Sequence, residues 1–225
     1  MASRERLSAH HPDTAALRRI GERVRARLDA DPAAYRLPVE ELEIYGVAGF
    51  FSDEECARLR SIVDDVAVPS LSYGNVYDNG RTSYSGDVDP LDPFIRMLQR
   101  RIDDLLGFEP DFGETIQGQR YSVGQEFRPH YDHFNPSHKM WADEQTRGGQ
   151  RSWTAMAYLN AVDEGGSTDF PLVNLSIPPQ PGALLIWNNM KPDGTPNSKA
   201  LHAGTPVIRG TKYVLTKWYR ARAWH

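Results

Sequence analysis

Apolar and polar residues follow a helical period in the first half of the chain and a different period in the second half. Apolar positions recur at helical spacing over residues 14–30, after Ser52, and along DPFIRMLQRRIDDLLGF, which ends at Gly107. Ser52 is a candidate N-cap because three acidic residues follow it directly. The apolar run from Ile44 to Phe51 predicts a strand that leads into this helix.

From residue 114 onward, short β-prone segments alternate with turns, which is typical of an all-β sandwich or barrel. We therefore predict one α+β domain, mainly β, in which N-terminal helices support a β-barrel. Residues 1–40 would hold a leader and a helix, and residues 41–113 the supporting helices. The polar segment 67–90 within that part is a candidate lid, and residues 114–225 would form the barrel.

Composition narrows the class of protein without defining it. The formal net charge of −4 gives no basic excess, so a nucleic-acid partner is not expected. The longest aliphatic run is the short segment ALLIW, and the N-terminus lacks the apolar core of a secretory signal, so no membrane partner is expected either. Cys56 is the sole cysteine, which excludes an intrachain disulfide. We expect a soluble, cytoplasmic protein. Because residues 14–30 could pack on their own core or on a second subunit, a homodimer stays open.

The stretch RPHYDHF contains the first candidate ligands. On a strand, His130 and Asp132 would point to one face and His133 to the other. Such a pair occurs often by chance, but His202 lies on a later β-prone segment and supplies a third candidate ligand. Two histidines and one carboxylate are typical of non-haem iron(II) sites with open positions, and catalytic zinc stays an alternative.

Lys212 begins the β-prone segment KYVLTKWYR, and strand alternation places it on one face with Val214, Thr216 and Trp218. A lysine on a largely apolar face needs an anionic partner if it is buried. It could also be an edge-strand lysine that blocks edge pairing. Beside an iron site with open positions, the cation favours a chelating dicarboxylate such as 2-oxoglutarate.

Three long segments now make a family resemblance clear. They are RYSVGQEFRPHYDHFNP, GGQRSWTAMAYLNAVDEGGSTDFP and PQPGALLIWNNMKPDGTPNSKALHAGTPVIRGTKYVLTKWYRAR, which together cover about residues 119–222. A weaker likeness, through EIYGVAGFFSDEECARL and the RTS that begins at Arg81, extends to about residue 42. The sequence resembles the prolyl 4-hydroxylase family of Fe(II)- and 2-oxoglutarate-dependent dioxygenases. The resemblance implies a double-stranded β-helix, a jelly-roll or cupin-like barrel.

The resemblance also implies roles for residues at matching positions. Iron would be bound by His130, Asp132 and His202. The positions that would contact 2-oxoglutarate are Lys212, Tyr121, Thr216 and Tyr158. Trp218 and Arg151 match positions near the substrate. Tyr77 in the candidate lid and Arg81 in the RTS stretch are further candidate substrate-binding residues. Alternative interpretations are core packing for Tyr121, Tyr158 and Trp218, a solvated side chain for Arg151, and a plain loop for segment 67–90.

The implied reaction consumes 2-oxoglutarate and O2, with ascorbate as reductant, releases succinate and CO2, and hydroxylates a C–H bond. The family favours C4 of proline in a peptide or protein as the target. A free amino acid or another small metabolite is an alternative substrate, because this fold and iron site serve both. A non-catalytic peptide-binding module is an alternative of another class. The chain lacks the signal peptide and paired cysteines of secreted collagen-modifying enzymes, so we expect a cytosolic enzyme.

Overall fold

The computed structural model of this chain describes residues 13–70 and 80–225. The helices in this part are α1 (Thr14–Ala30), α2 (Asp53–Val66), α3 (Pro93–Leu106) and the short α4 (Trp141–Glu144). The predicted helix over residues 14–30 is confirmed, as are the helix after Ser52 and the one that ends at Gly107. Ser52 forms a capping box with Glu55, and Gly107 ends α3 in the left-handed conformation with φ 74°.

Strands account for most of the remaining regular structure. In chain order the strands of the described residues are β1 (Ala34–Arg36), β2 (Ile44–Val47), β3 (Val68–Pro69), β4 (Tyr84–Asp87), β5 (Gln117–Tyr121), β6 (Phe127–His130), β7 (Arg151–Tyr158), β8 (Glu164–Gly165), β9 (Thr168–Phe170), β10 (Leu175–Ile177), β11 (Leu184–Asn188), β12 (His202–Gly204), β13 (Val207–Arg209) and β14 (Lys212–Arg220).

These strands form a double-stranded β-helix. An eight-stranded sheet has the order β1-β2-β11-β7-β14-β5-β4-β3, and a four-stranded sheet has the order β10-β9-β12-β6. A small two-stranded sheet pairs β13 with β8. All pairings between these strands are antiparallel. Four strands of the larger sheet come from before residue 114. The sheet therefore includes residues that precede the segment in which the sequence predicts the barrel.

The larger sheet has a core on each face, because alternate residues of its strands point in opposite directions. On β7, Trp153 and Ala155 pack toward the helices, in a cluster that includes residues of α1, α2 and α3. Met156 and Tyr158 point into the barrel, where they pack with residues of the smaller sheet such as Phe170. The helices thus cover the outer face of the sheet and leave its inner face for the barrel interior.

The structure corrects the limits of some predicted strands. The strand predicted from Ile44 to Phe51 ends at Val47, because the chain turns at Gly49, which has a positive φ of 60°. The β-prone segment ALHAGTPVI is two strands, β12 and β13, that belong to different sheets. Both errors arise because an apolar run does not reveal where the backbone turns.

The candidate lid is described only in part. Within residues 67–70 and 80–90, β3 and β4 pair as an antiparallel edge of the larger sheet, and the Tyr84 ring lies 5.1 Å from the guanidinium carbon of Arg120. Tyr77 falls outside the described residues. None of the helices in residues 13–70 and 80–225 is long and apolar enough to cross a membrane.

Candidate metal centre and active site

Three metal-ligating side chains meet inside the mouth of the barrel. His130 ends β6 and His202 begins β12, and the two residues are direct partners in the antiparallel register. Asp132 follows β6 by two residues and is buried. One ligand atom from each side chain lies within 4.8 Å of the other two. The three residues could therefore hold a single metal ion.

The way in which Asp132 reaches this point differs from the prediction. Strand β6 ends at His130, so Asp132 lies in a bend and not on the strand. The expected strand alternation therefore does not bring these two ligands together; the change of direction after the strand does. His133 lines the same cleft as His130 and Asp132, but it is not one of the three clustered ligand residues.

Backbone carbonyls fix the orientation of both imidazoles. His130 Nδ1 lies 2.9 Å from the carbonyl oxygen of Arg128, and His202 Nδ1 lies 3.0 Å from that of Ala200. With the proton on Nδ1, each Nε2 carries a lone pair toward Asp132, at 3.9 Å from Oδ1 for His130 and 3.7 Å from Oδ2 for His202. Burial, together with the neighbouring His202, lowers the pKa of His130 to about 3, so that this imidazole is neutral at physiological pH.

Asp132 is held as a carboxylate. Burial alone would raise its pKa, but the neighbouring histidines, Arg151 and a hydrogen bond from Thr154 bring the pKa below its usual value. An ionised carboxylate beside two neutral imidazoles is a donor set that suits iron(II) and leaves positions open for other ligands. The same set also suits catalytic zinc. The donor chemistry therefore fits the metal that the sequence pattern predicts.

Lys212 lies deeper in the barrel and has the environment of an anion-binding group. Its Nζ lies 5.6 Å from the ring centroids of both Tyr121 and Tyr158. Within the described part of the chain it makes no ion pair and no hydrogen bond. Burial lowers its pKa to about 7, against the opposing effect of Asp169. A buried ammonium without a partner is costly, and an anionic ligand would relieve that cost.

The other candidate cosubstrate residues form two hydrogen-bonded groups around Lys212. The Tyr121 hydroxyl donates to Gln119 Oε1 at 2.9 Å, and Gln119 Nε2 donates to Thr216 Oγ1 at 3.0 Å. The Tyr158 hydroxyl donates to Thr168 Oγ1 at 2.8 Å. Gln119 was not singled out in the sequence, although it shares the alternation of Tyr121 on β5. It connects two side chains that are 95 positions apart in sequence.

An open cleft with a volume of about 460 Å³ leads to the metal centre. Its walls include Arg81, Arg151 and Trp218. Arg151 makes a two-pronged ion pair with Glu114, with Nε–Oε1 2.6 Å and Nη2–Oε2 2.7 Å, and its guanidinium carbon lies 4.1 Å above the Trp218 ring. Arg151 is therefore a fixed wall of the cleft and not a solvated side chain.

Arg81 reaches the same cleft from the bridge that precedes β4. Its Nε donates to Ser83 Oγ at 2.8 Å and its Nη1 donates to Gln117 Oε1 at 3.0 Å. Its guanidinium carbon lies 5.0 Å from the Phe127 ring, which stacks on His130 at 3.5 Å between centroids. The structure thus brings Arg81, Arg151 and Trp218 to the metal centre, whereas Tyr77 lies outside the described residues.

Comparison with known proteins gives the class of this fold and site. Residues 116–220 match the model of the 2OG-Fe(II) oxygenase superfamily. Probable prolyl 4-hydroxylase 3 of Arabidopsis thaliana is 35% identical over 196 residues, which cover 75% of this chain and 66% of that protein. Probable prolyl 4-hydroxylase 8 of the same plant is 32% identical over 206 residues, which cover 78% and 68%. The chain thus spans about two thirds of these relatives.

A solved structure agrees with these matches. The viral collagen prolyl hydroxylase of Paramecium bursaria Chlorella virus-1, in its 2OG complex, superposes with a TM-score of 0.62 and 27% identity. The superposition covers 78% of this chain and 94% of the viral one. The class is therefore that of the 2OG-Fe(II) oxygenases. Within this class, the chain belongs to the prolyl 4-hydroxylase family, which confirms the resemblance and the predicted double-stranded β-helix.

Proposed function

We propose that this protein is an Fe(II)- and 2-oxoglutarate-dependent dioxygenase that hydroxylates C4 of a prolyl residue in a peptide or protein. The observation that carries the proposal is the buried cluster of His130, Asp132 and His202, with the unpaired cation of Lys212 deeper in the same barrel. An open cleft leads to this cluster from outside. Family membership supports the reaction, and the names of the relatives support proline as the target.

Each ligand residue has a defined part in holding the metal. His130 and His202 would bind the metal through Nε2, because their Nδ1 atoms are engaged with backbone carbonyls. Asp132 supplies the negative charge that balances part of the charge of iron(II). When bound, the metal is the place where 2-oxoglutarate and O2 combine to oxidise the substrate. The net reaction converts 2-oxoglutarate, O2 and a C–H bond into succinate, CO2 and a C–OH bond.

Lys212 binds the distal carboxylate of 2-oxoglutarate, which supplies the anion that the buried ammonium lacks. Tyr121 and Thr216 contact the same cosubstrate, and their hydroxyls are already oriented by Gln119. Tyr158 is a second aromatic neighbour of Lys212, since its ring centroid lies 5.6 Å from Nζ, as does that of Tyr121. Pre-oriented groups of this kind lower the entropy cost of binding.

The peptide binds in the cleft. Arg151, Trp218 and Arg81 form the walls of the cleft near the metal-binding residues. The stacked Phe127 and His130 rings help exclude water from one side of the site. Arg151 is held by Glu114, so it presents a rigid surface that orients the substrate C–H bond.

The proposal is tested by incubating the protein with a peptide library, Fe(II), 2-oxoglutarate and ascorbate, and by analysing the products by mass spectrometry. We expect one added oxygen atom on proline peptides, with stoichiometric succinate. Addition of oxygen only to free proline or another metabolite would redirect the proposal to a small-molecule substrate. Retained peptide binding without succinate release would indicate a binding module instead.

Two variants separate the roles of the metal and cosubstrate residues. His202→Ala should abolish both iron binding and succinate release. Lys212→Ala should retain iron binding but raise the 2-oxoglutarate requirement by orders of magnitude. Undiminished turnover in His202→Ala, or an unchanged requirement in Lys212→Ala, would contradict the respective assignment.

A further inference from the structure

A short chain of buried hydrogen bonds ends on the metal-binding carboxylate. Thr154, in the middle of β7, donates its hydroxyl proton to Asp132 Oδ2 at 2.7 Å. Asn189, directly after β11, donates from Nδ2 to Thr154 Oγ1 at 2.9 Å. Thr154 and Asn189 are both fully buried, with 0% of their surface exposed. Neither residue carries a candidate role in the reaction described above.

The donor and acceptor roles in this series of hydrogen bonds follow from the chemistry of the three side chains. An ionised carboxylate can only accept, so the single hydroxyl proton of Thr154 must point to Asp132. The Thr154 oxygen is then free to accept, and the amide of Asn189 must present its NH2 group to it. The Asn189 Oδ1 atom has no hydrogen-bond partner within residues 13–70 and 80–225, so no competing donor holds the amide in the opposite orientation.

The backbone holds Asn189 rigidly at the end of its strand. Its amide N–H donates to the carbonyl of Ser152 at 2.8 Å, and its own carbonyl accepts from the N–H of Asn197 at 3.0 Å. Thr154 lies on the central strand β7, which is paired with β11 on one side and β14 on the other. Both donors thus belong to the most constrained part of the barrel, whereas Asp132 lies in a bend outside any strand.

This contrast indicates what the hydrogen-bond chain does. We propose that Thr154 and Asn189 are positioning residues that occupy Asp132 Oδ2 and thereby hold the carboxylate as a one-oxygen metal ligand through Oδ1. This inference rests on the proposed function, which makes Asp132 a ligand. A carboxylate bound through both oxygens would fill an additional coordination position. A metal held by His130, Asp132 and His202 would need its remaining positions for 2-oxoglutarate and O2.

The first experiment measures the binding of Mn(II) alone to the full chain, by electron paramagnetic resonance without 2-oxoglutarate. Thr154→Val keeps the shape of the side chain but removes the donor, and we expect about ten- to a hundredfold weaker affinity, the usual effect of losing a hydrogen bond to a ligand. The spectrum of bound Mn(II) should also change, because the second carboxylate oxygen becomes available. Thr154→Ser keeps the hydroxyl and should restore both affinity and spectrum.

A second variant tests the same idea with Thr154 in place. Asn189→Asp offers the hydroxyl proton a competing carboxylate, and it should weaken Mn(II) binding in the same direction as Thr154→Val. Ser152→Ala is the matched control, because Ser152 is a buried hydroxyl on the same strand that donates to the carbonyl of Tyr219 at 3.0 Å and not to a ligand. It should lower stability while leaving Mn(II) affinity and spectrum unchanged.

Three outcomes would overturn the inference. Wild-type affinity and spectrum in both Thr154→Val and Asn189→Asp would show that Asp132 needs no positioning. An equal loss of affinity in Ser152→Ala would show that the effect is one of general stability. If Asp132→Ala binds Mn(II) as wild type does, Asp132 is not a ligand, and both the inference and the proposed metal site fall. If Asp132→Ala abolishes Mn(II) binding while Thr154→Val and Asn189→Asp bind as wild type does, Asp132 remains a ligand and only the positioning role is rejected.

Discussion

Lys217 on β14 and Asp103 on α3 form an ion pair, with Nζ and Oδ1 2.5 Å apart and both side chains fully buried. The hydroxyl of Tyr219 donates to the same Oδ1 at 2.7 Å. Lys217 lies on the face of β14 opposite to Lys212, so the pair joins the helical layer to the outer face of the sheet. The inner face of the same strand carries the candidate cosubstrate site.

Breaking this pair on one side should destabilise the fold strongly. Lys217→Met leaves the Asp103 carboxylate buried without its cation, and we expect a loss of about 3–5 kcal/mol in the free energy of unfolding. The double variant Asp103→Leu/Lys217→Met removes both charges and should recover most of that loss. Urea denaturation monitored by circular dichroism measures both values. A double variant no more stable than Lys217→Met would contradict this account.

The affinity for 2-oxoglutarate should depend on pH through Lys212. Burial lowers the pKa of this lysine to about 7 in the absence of a ligand, although Asp169 opposes the shift. The dicarboxylate binds the protonated form and raises the pKa, so binding takes up a proton above about pH 7. Affinity should therefore be flat below that pH and fall as the pH rises, by up to about tenfold per unit.

Calorimetry with Mn(II)-loaded protein, without O2, measures this dependence across the range from pH 6 to about 9. Lys212→Arg is the matched control, because its guanidinium stays protonated throughout and should give a flatter profile. Equal affinities for wild type at the two ends of the range would show that Lys212 is already protonated when the ligand arrives.

The two lysines of β14 illustrate how far the sequence could predict this site. Strand alternation correctly placed Lys212, Thr216 and Trp218 on one face, and all three are buried there. The same rule put Lys217 on the other face, but nothing local indicates that α3 covers that face and supplies Asp103. Partners that come from distant segments depend on tertiary packing, which a periodic pattern does not contain.

For the metal ligands, too, the sequence predicted the residues correctly but not all of their geometry. Residue types and the family resemblance identified His130, Asp132 and His202, which the structure brings together. The geometry assumed for Asp132 was wrong, because the strand ends at His130. Thr154 was missed although it shares a strand face with Tyr158, since a threonine in a β-prone segment usually indicates only strand propensity.

Gln150 should be important for the loop that carries Asp132. Its buried side-chain amide accepts from the Phe134 N–H at 2.6 Å and donates to the Phe134 carbonyl at 2.9 Å. Phe134 lies two residues after the metal ligand Asp132. Gln150→Leu leaves both backbone groups without these partners, and we expect a loss of about 1–3 kcal/mol in stability. Because the loop is released, Mn(II) affinity should fall as well.

The control for Gln150→Leu is Ser52→Ala, which removes the cap of α2 far along the chain from the metal ligands. It should cost about 1 kcal/mol of stability and leave Mn(II) affinity unchanged. Thermal unfolding and metal titration of both variants separate a local effect from a general one. If the two variants lose metal affinity equally at matched stability, the hydrogen bonds between Gln150 and the Phe134 backbone have no specific role in metal binding.

Arg151 should control peptide binding without affecting 2-oxoglutarate. Its pairing with Glu114 and its position 4.1 Å above the Trp218 ring both depend on the planar guanidinium. Arg151→Lys loses the two-pronged pairing with Glu114, so this wall of the cleft is no longer held in a fixed position. Since misplacing a group that orients the substrate can cost up to about a hundredfold, we expect the KM for the proline peptide to rise, with the KM for 2-oxoglutarate unchanged. Arg100→Lys, in an exposed pair with Asp104, is the control and should alter neither constant. A rise in both KM values would mean that Arg151 supports the metal centre as a whole and not the substrate cleft.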